Sequence, residues 1–247
     1  MSRSKRVKMK KCGGEKGCEE FFPATEEYFY RHGGGLGSIC RECHKKYLAE
    51  YRSRPENKAR IKEWQAEYYE ANRELCLDKL GHKCVWPGCK ITQSEFLAFD
   101  HINDDGEEHR EEIGKYGQAI IKWLIENNFP KDKIQLLCHN HNWIKRLLKS
   151  SSNLLQDPGN KATRKYAAKI RLEVFTYYGL ICACCGEANL DLLTIDHILG
   201  GGNKHRRKIG NNICNWLKRK GFPPSYRTLC HNCNKSLGSY GNCPHGN

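Results

Sequence analysis

The chain has no uninterrupted apolar run of about 18 residues, the length that a bilayer demands of a spanning helix, and its basic start, Met1 to Lys11, lacks a signal-peptide pattern. A soluble, intracellular protein with no membrane partner is therefore expected. Acidic side chains are scarce, 28 against 42 Lys and Arg, giving a formal net charge of +14 and a pI near 9.1. A surface of that kind attracts polyanions from a distance and gains by counterion release on contact, so double-stranded DNA is the expected partner. Apolar residues make up only 38% of 247 positions, and the mean hydropathy is -0.76. Small modules with thin cores follow, the size class in which metals or disulfides take over from hydrophobic burial.

What is abundant is cysteine, with 15 residues interleaved among 11 His. In a reducing compartment that mixture favours zinc over disulfides. Three tetrahedral sets can be drawn: Cys12, Cys18, Cys40 and Cys43; Cys84, Cys89, Cys138 and His141; Cys182, Cys185, Cys230 and Cys233. Cys76, Cys184, Cys214 and Cys243 are left over. Cys184 can replace a neighbour in the third set, although its spacing to Asp196 is less favourable than that of Cys185. Cys243 and His245 either join a metal site or simply close the chain.

Residues 1–44 read as a zinc ribbon. The Gly33 to Gly37 run suits a hairpin turn, and Phe21, Phe22, Tyr28, Phe29 and Tyr30 supply a minimal core. Such a ribbon serves either as a DNA-docking finger or as a folding staple. Over 45–80 the pattern turns helical, with Tyr47, Leu48, Tyr51, Ile61, Trp64, Tyr68 and Leu75 at spacings of three, four and seven, broken at Pro55. Its Lys and Arg make it a basic arm along DNA or, equally, a solvated spacer.

Residues 81–149 and 176–247 are one repeat written twice. In both, the second Cys precedes an Asp-His pair by 11 positions (Cys89 to Asp100, Cys185 to Asp196), and His-Arg begins eight residues after that His (His109 and Arg110, His205 and Arg206). Trp-Leu recurs at Trp123 and Trp216, and Phe-Pro at Phe129 and Phe222. Residues 150–175 between the copies form a linker, rich in Ser, Asn, Gly and Pro at first, then a basic amphipathic helix.

Each Asp-His pair ends a β-like run, so its two side chains point to opposite sides, one toward a metal and one toward a water. Asn142 and Asn234 directly follow the last knuckle ligands, His141 and Cys233. An Asp oxygen with an Asn amide oxygen leaves most of an octahedron to water and phosphate, which suits Mg2+ or Mn2+.

With Asp196, His197, the Gly200 to Arg206 run and the Cys230 to Asn234 knuckle in view, both copies resemble HNH endonucleases of the ββα-metal fold. The zinc-stabilised, endonuclease VII-like branch and phage-type HNH homing enzymes are the most similar. The resemblance implies an α+β chain of small zinc-stabilised modules, in which a ribbon and a helical arm precede two tandem ββα-metal domains. It implies a phage-encoded or bacterial cytoplasmic enzyme hydrolysing DNA phosphodiester bonds, site-specifically and on both strands, as a monomeric pseudodimer. His101 and His197 would be general bases, Asp100 with Asn142 and Asp196 with Asn234 would each hold one catalytic cation, and His109, Arg110, His205 and Arg206 would contact phosphate. A branched-DNA resolvase, a nicking enzyme with one live site and a non-catalytic multi-zinc DNA-binding protein are the alternatives. The family's central Asn has no clear match, with Asn211, Asn212 and Asn215 as candidates.

Overall fold

The computed structural model describes residues 8–114, 117–155, 161–210 and 212–246. Asn211 and part of the expected linker, 156–160, lie outside them. The chain is mixed α and β, with every sheet among the described residues made of two antiparallel strands. No described helix is long and apolar enough to cross a membrane. Two compact units divide at Ala71 and Asn72.

The first unit pairs β1 (Met9–Lys11) with β2 (Phe21–Pro23), and β3 (Phe29–His32) with β4 (Gly35–Cys40). Gly33 and Gly34, both at positive φ, make the turn between β3 and β4, where a side chain would strain the backbone. Phe29 is fully buried with Cys12 and Cys40, and Phe22, Tyr28, Leu36 and Ile39 pack around them. Helix α1 (Arg41–Ser53) follows, capped by the Cys40 sulfur, which accepts from the Cys43 N–H. Arg54 is extended, as the residue before a proline tends to be, and Pro55 opens α2 (Pro55–Lys79) at the one helical position where a missing N–H costs nothing.

The second unit contains the repeat. Each copy begins on a helix, α2 in the first and α6 (Lys161–Tyr178) in the second. Arg73 reaches from α2 to the carbonyls of Ser94 and Leu97 at 2.6 and 3.0 Å, and Arg171 from α6 to those of Leu190 and Leu193 at 2.6 and 2.9 Å. These carbonyls belong to a 3-10 turn, Ser94–Phe96 or Leu190–Leu192, that leads into a strand.

In the first copy that strand is β5 (Leu97–His101), followed by α3 (Gly106–Ile113), α4 (Gly117–Glu126), β6 (Ile134–Cys138) and α5 (His139–Leu155). In the second it is β7 (Leu193–His197), with α7 (Gly202–Ile209), α8 (Ile213–Arg219), β8 (Tyr226–Cys230) and α9 (His231–Tyr240). The register is the same in both: Leu97 opposes Cys138 as Leu193 opposes Cys230, and Asp100 opposes Gln135 as Asp196 opposes Arg227. The Phe-Pro steps also match. Phe129 and Phe222 both have a φ of 56°, and their N–H groups donate to Leu124 and Leu217.

Each copy's core is small. Leu77, Phe96, Leu97, Leu124, Ile134 and Leu137 are buried in the first, Phe175, Leu193, Leu217 and Leu229 in the second. A buried side chain of this size contributes roughly 1.5–3 kcal/mol, so each core is modest beside the conformational entropy it opposes. α5 continues to Leu155, past Ser150, where the composition points to a linker. Helix α5 packs on α9. Reciprocally, α9 lies against the 3-10 turn of the first copy and α5 against that of the second. Two small cores are thereby closed by each other's terminal helix.

Candidate metal centres and paired histidines

The last strand of each copy delivers a cysteine at its end, and the next residue begins a helix. Cys230 therefore doubles as a metal-type ligand and as the helix cap, its sulfur accepting from the Cys233 N–H at 3.5 Å. A short loop supplies the other two thiols: the Cys84 N–H bonds to Ile91 and the Cys182 N–H to Glu187, closing equivalent turns. The three sets expected from spacing are each brought together, with all ligand atoms of a set within 4.8 Å of one another.

His141 Nδ1 lies 3.1 Å from Cys138 Sγ and 3.6 Å from Cys84 Sγ, and its ring stacks on Trp86 with centroids 5.2 Å apart. Cys230 Sγ lies 3.8 Å from Cys185 Sγ and 3.5 Å from Cys233 Sγ. Such crowding perturbs the thiols. Hydrogen bonding with Cys138 brings Cys84 down to about 4, and hydrogen bonding with Cys182 pushes Cys230 up to about 12. Soft sulfur and imidazole donors at this spacing fit zinc. The chain thus carries clusters able to chelate metal, and no cysteine among the described residues forms a disulfide.

A fourth set was not drawn from spacing: Cys184, Cys233, Cys243 and His245. It shares Cys233 with the third. The surplus cysteine in the Cys182 to Cys185 run and the Cys243, His245 pair were its sequence signal.

At the opposite end of each hairpin sits a histidine pair. His101 Nε2 is 2.7 Å from His109 Nδ1, and His197 Nε2 is 2.8 Å from His205 Nδ1. The outer ring of each pair meets a tryptophan edge to face, His109 on Trp123 and His205 on Trp216, both at 4.3 Å. His109 Nε2 is buried against this wall without a hydrogen-bond partner. Sequence offered His109 and His205 to a phosphate. In the structure their Nδ1 atoms are engaged by His101 and His197, while Arg110 and Arg206 are exposed on α3 and α7.

The inner rings press on glycine. A Cβ on Gly106 would fall 2.9 Å from His101 Nδ1, and one on Gly202 would fall 3.0 Å from His197 Nδ1. Burial, reinforced by the facing histidine, lowers the proton affinity of both His101 and His197. Both imidazoles are therefore biased toward their neutral form.

Each aspartate carries a cation. Asp100 Oδ2 accepts from Lys145 Nζ and Gln135 Nε2, both at 2.8 Å, and Lys145 also pairs with Asp104 at 3.0 Å. Asp196 Oδ2 accepts from Arg227 Nε at 2.9 Å. The charge has changed element between copies: Lys145 projects from the helix, whereas Arg227 stands on the strand at the position of Gln135. Asn142 and Asn234 are half-buried on the first turns of α5 and α9. The surroundings also differ in sign. Glu107, Glu108, Glu111 and Glu112 crowd α3, while Lys204, Arg206, Arg207 and Lys208 crowd α7.

Compared with protein-family models, curated proteins and solved structures, the chain matches none of them. Fold and site define it as a protein of small α+β modules with repeated Cys and His clusters able to chelate metal.

Proposed function

We propose that this chain is a metal-dependent endonuclease of the HNH type, hydrolysing DNA phosphodiester bonds at two sites held in one chain. The observation that carries the reading is the histidine pair. The same Asp-His step, second histidine, tryptophan wall and permissive glycine recur in both copies, although a metal-braced scaffold needs none of them. A homing-type enzyme that cuts both strands fits two sites and a chain of charge +14.

In this reading His101 Nε2–H donates to His109 Nδ1, and His197 Nε2–H to His205 Nδ1. The Nδ1 lone pair of each inner ring would then take a proton from the attacking water. Arg110 and Arg206 offer exposed charge to the phosphate. Asp100 with Asn142, and Asp196 with Asn234, are the hard oxygen donors that would hold Mg2+ or Mn2+. Lys145, Gln135 and Arg227 all address Oδ2, so such an ion would be taken through Oδ1. When bound, it supplies positive charge against the phosphate and the departing 3′ oxygen.

The ion pairs favour a second reading, a non-catalytic multi-metal DNA-binding protein, because a cation already neutralises each aspartate. Incubation of the zinc-loaded chain with supercoiled plasmid, with Mg2+ or Mn2+ or with neither, separates the two. Nicks or breaks that need the added ion support the nuclease. Binding without cleavage under every condition supports the alternative.

A further inference from the structure

We propose that the second copy holds two metal ions rather than one, with the thiolate of Cys233 bridging them. Cys182, Cys185, Cys230 and Cys233 form one set of four ligand atoms, and Cys184, Cys233, Cys243 and His245 form another, each set within 4.8 Å. Seven side chains therefore surround two tetrahedral positions that require eight donors. One shared thiolate supplies the eighth. Cys233 sits where a bridge must, with its Sγ 3.5 Å from Cys230 Sγ on one side and 3.4 Å from His245 Nδ1 on the other. His245 Nδ1 is equally 3.4 Å from Cys243 Sγ. Two Zn–S bonds of about 2.3 Å meeting near the tetrahedral angle at sulfur put the ions roughly 3.7 Å apart.

The local fold is arranged to return the tail to this point. Gly241, left-handed with φ 77°, ends α9 and turns the chain. Buried Ser236 then donates to the Asn242 carbonyl at 2.8 Å, drawing Cys243 and His245 back along the helix. The His245 ring rests on Phe96 with centroids 5.0 Å apart, so the second ion would tie the tail to the first copy as well.

Charge is consistent with two ions. Four thiolates around one Zn2+ carry a net charge of about -2; adding two thiolates, a neutral imidazole and a second Zn2+ leaves that charge unchanged. The bridge also gives a reason for the one ligand difference between the copies. At the position of Cys233 the first copy has His141, which offers Nδ1 to a single set, and only three of its ligands are thiols. A thiolate has lone pairs for two metals.

Metal content is independent of nuclease activity. The full-length chain, purified in excess Zn2+ and dialysed, is expected to hold four zinc ions by elemental analysis and native mass spectrometry: one in the first unit, one in the first copy and two in the second. Cys233→His, which recreates the donor set of the first copy, is expected to hold three. Three ions in the unsubstituted chain, or four in Cys233→His, would overturn the bridge. A measurement that needs no variant is 113Cd NMR of the cadmium-loaded chain. Two of four resonances are expected to split each other through the shared sulfur, whereas four unsplit resonances refute a common ligand.

Discussion

Asn140 and Asn232 exchange hydrogen bonds across the pseudo-twofold axis: each side-chain Oδ1 accepts the backbone N–H of the other at 2.9 Å, and both residues are buried. They occupy the same place in the two knuckles, one residue into α5 and α9. Each thus supplies a partner for a helix N-terminal N–H that its own helix cannot satisfy. Trp143 stacks on His231 beside them with centroids 4.5 Å apart. The two copies are in this sense the halves of an isologous dimer joined in one chain.

Asn140→Ala or Asn232→Ala leaves one buried N–H without an acceptor. Each is expected to destabilise the second unit by about 1–3 kcal/mol. The double variant leaves both N–H groups without acceptors and is expected to cost about the sum of the two. Urea unfolding of the zinc-loaded chain, followed by tryptophan fluorescence, measures this.

Arg73 and Arg171 each satisfy two carbonyls of a 3-10 turn with one guanidinium. Both bonds leave one terminal nitrogen, and a lysine ammonium, one bond nearer the backbone, falls short of that position. Arg171→Lys is therefore expected to lower stability by roughly 1–3 kcal/mol and Arg171→Met by more, read from the same unfolding curves.

Removal of metal should matter far more than any single side chain. Structural zinc contributes on the order of 10 kcal/mol to a small module, more than cores of this size supply. A strong chelator is expected to abolish the near-ultraviolet circular dichroism of the chain, and added Zn2+ to restore it. Retention of the signal in the metal-free chain would contradict a metal-dependent fold.

Gly202→Ala places a methyl 3.0 Å from His197 Nδ1, and Gly106→Ala one 2.9 Å from His101 Nδ1. Neither glycine is at positive φ, so the backbone tolerates alanine. Both variants are expected to keep their zinc content while turnover falls at least tenfold, through crowding of the nitrogen proposed to take the proton. Single-turnover cleavage rates beside metal content separate this from misfolding.

Much of the scaffold was legible in the sequence because metal ligands are few, chemically distinctive and fixed in spacing. The three Cys and His sets and the repeat around Asp100 and Asp196 follow from that. Single long-range contacts leave no such trace. Asn140 and Asn232 read as ordinary polar residues at a helix start, and their reciprocal bond exists only once two copies pack. Lys145 and Arg227 sit on different elements, so no alignment of the copies shows that they neutralise equivalent aspartates, Asp100 and Asp196. The inward turn of His109 was hidden because His-Arg on a polar helix reads as exposed; only the packed Trp123 draws the ring in. The fourth cluster depends on the turn at Gly241, a tertiary return that spacing cannot express.

The central claim is that His101 and His197 are equivalent bases, each serving one strand. It is tested most directly on supercoiled plasmid with the zinc-loaded chain and Mg2+ or Mn2+. The unsubstituted chain is expected to give linear DNA, His101→Ala and His197→Ala nicked circles, and the double variant intact plasmid. Plasmid left supercoiled by the unsubstituted chain, or cut equally by the double variant, would contradict it.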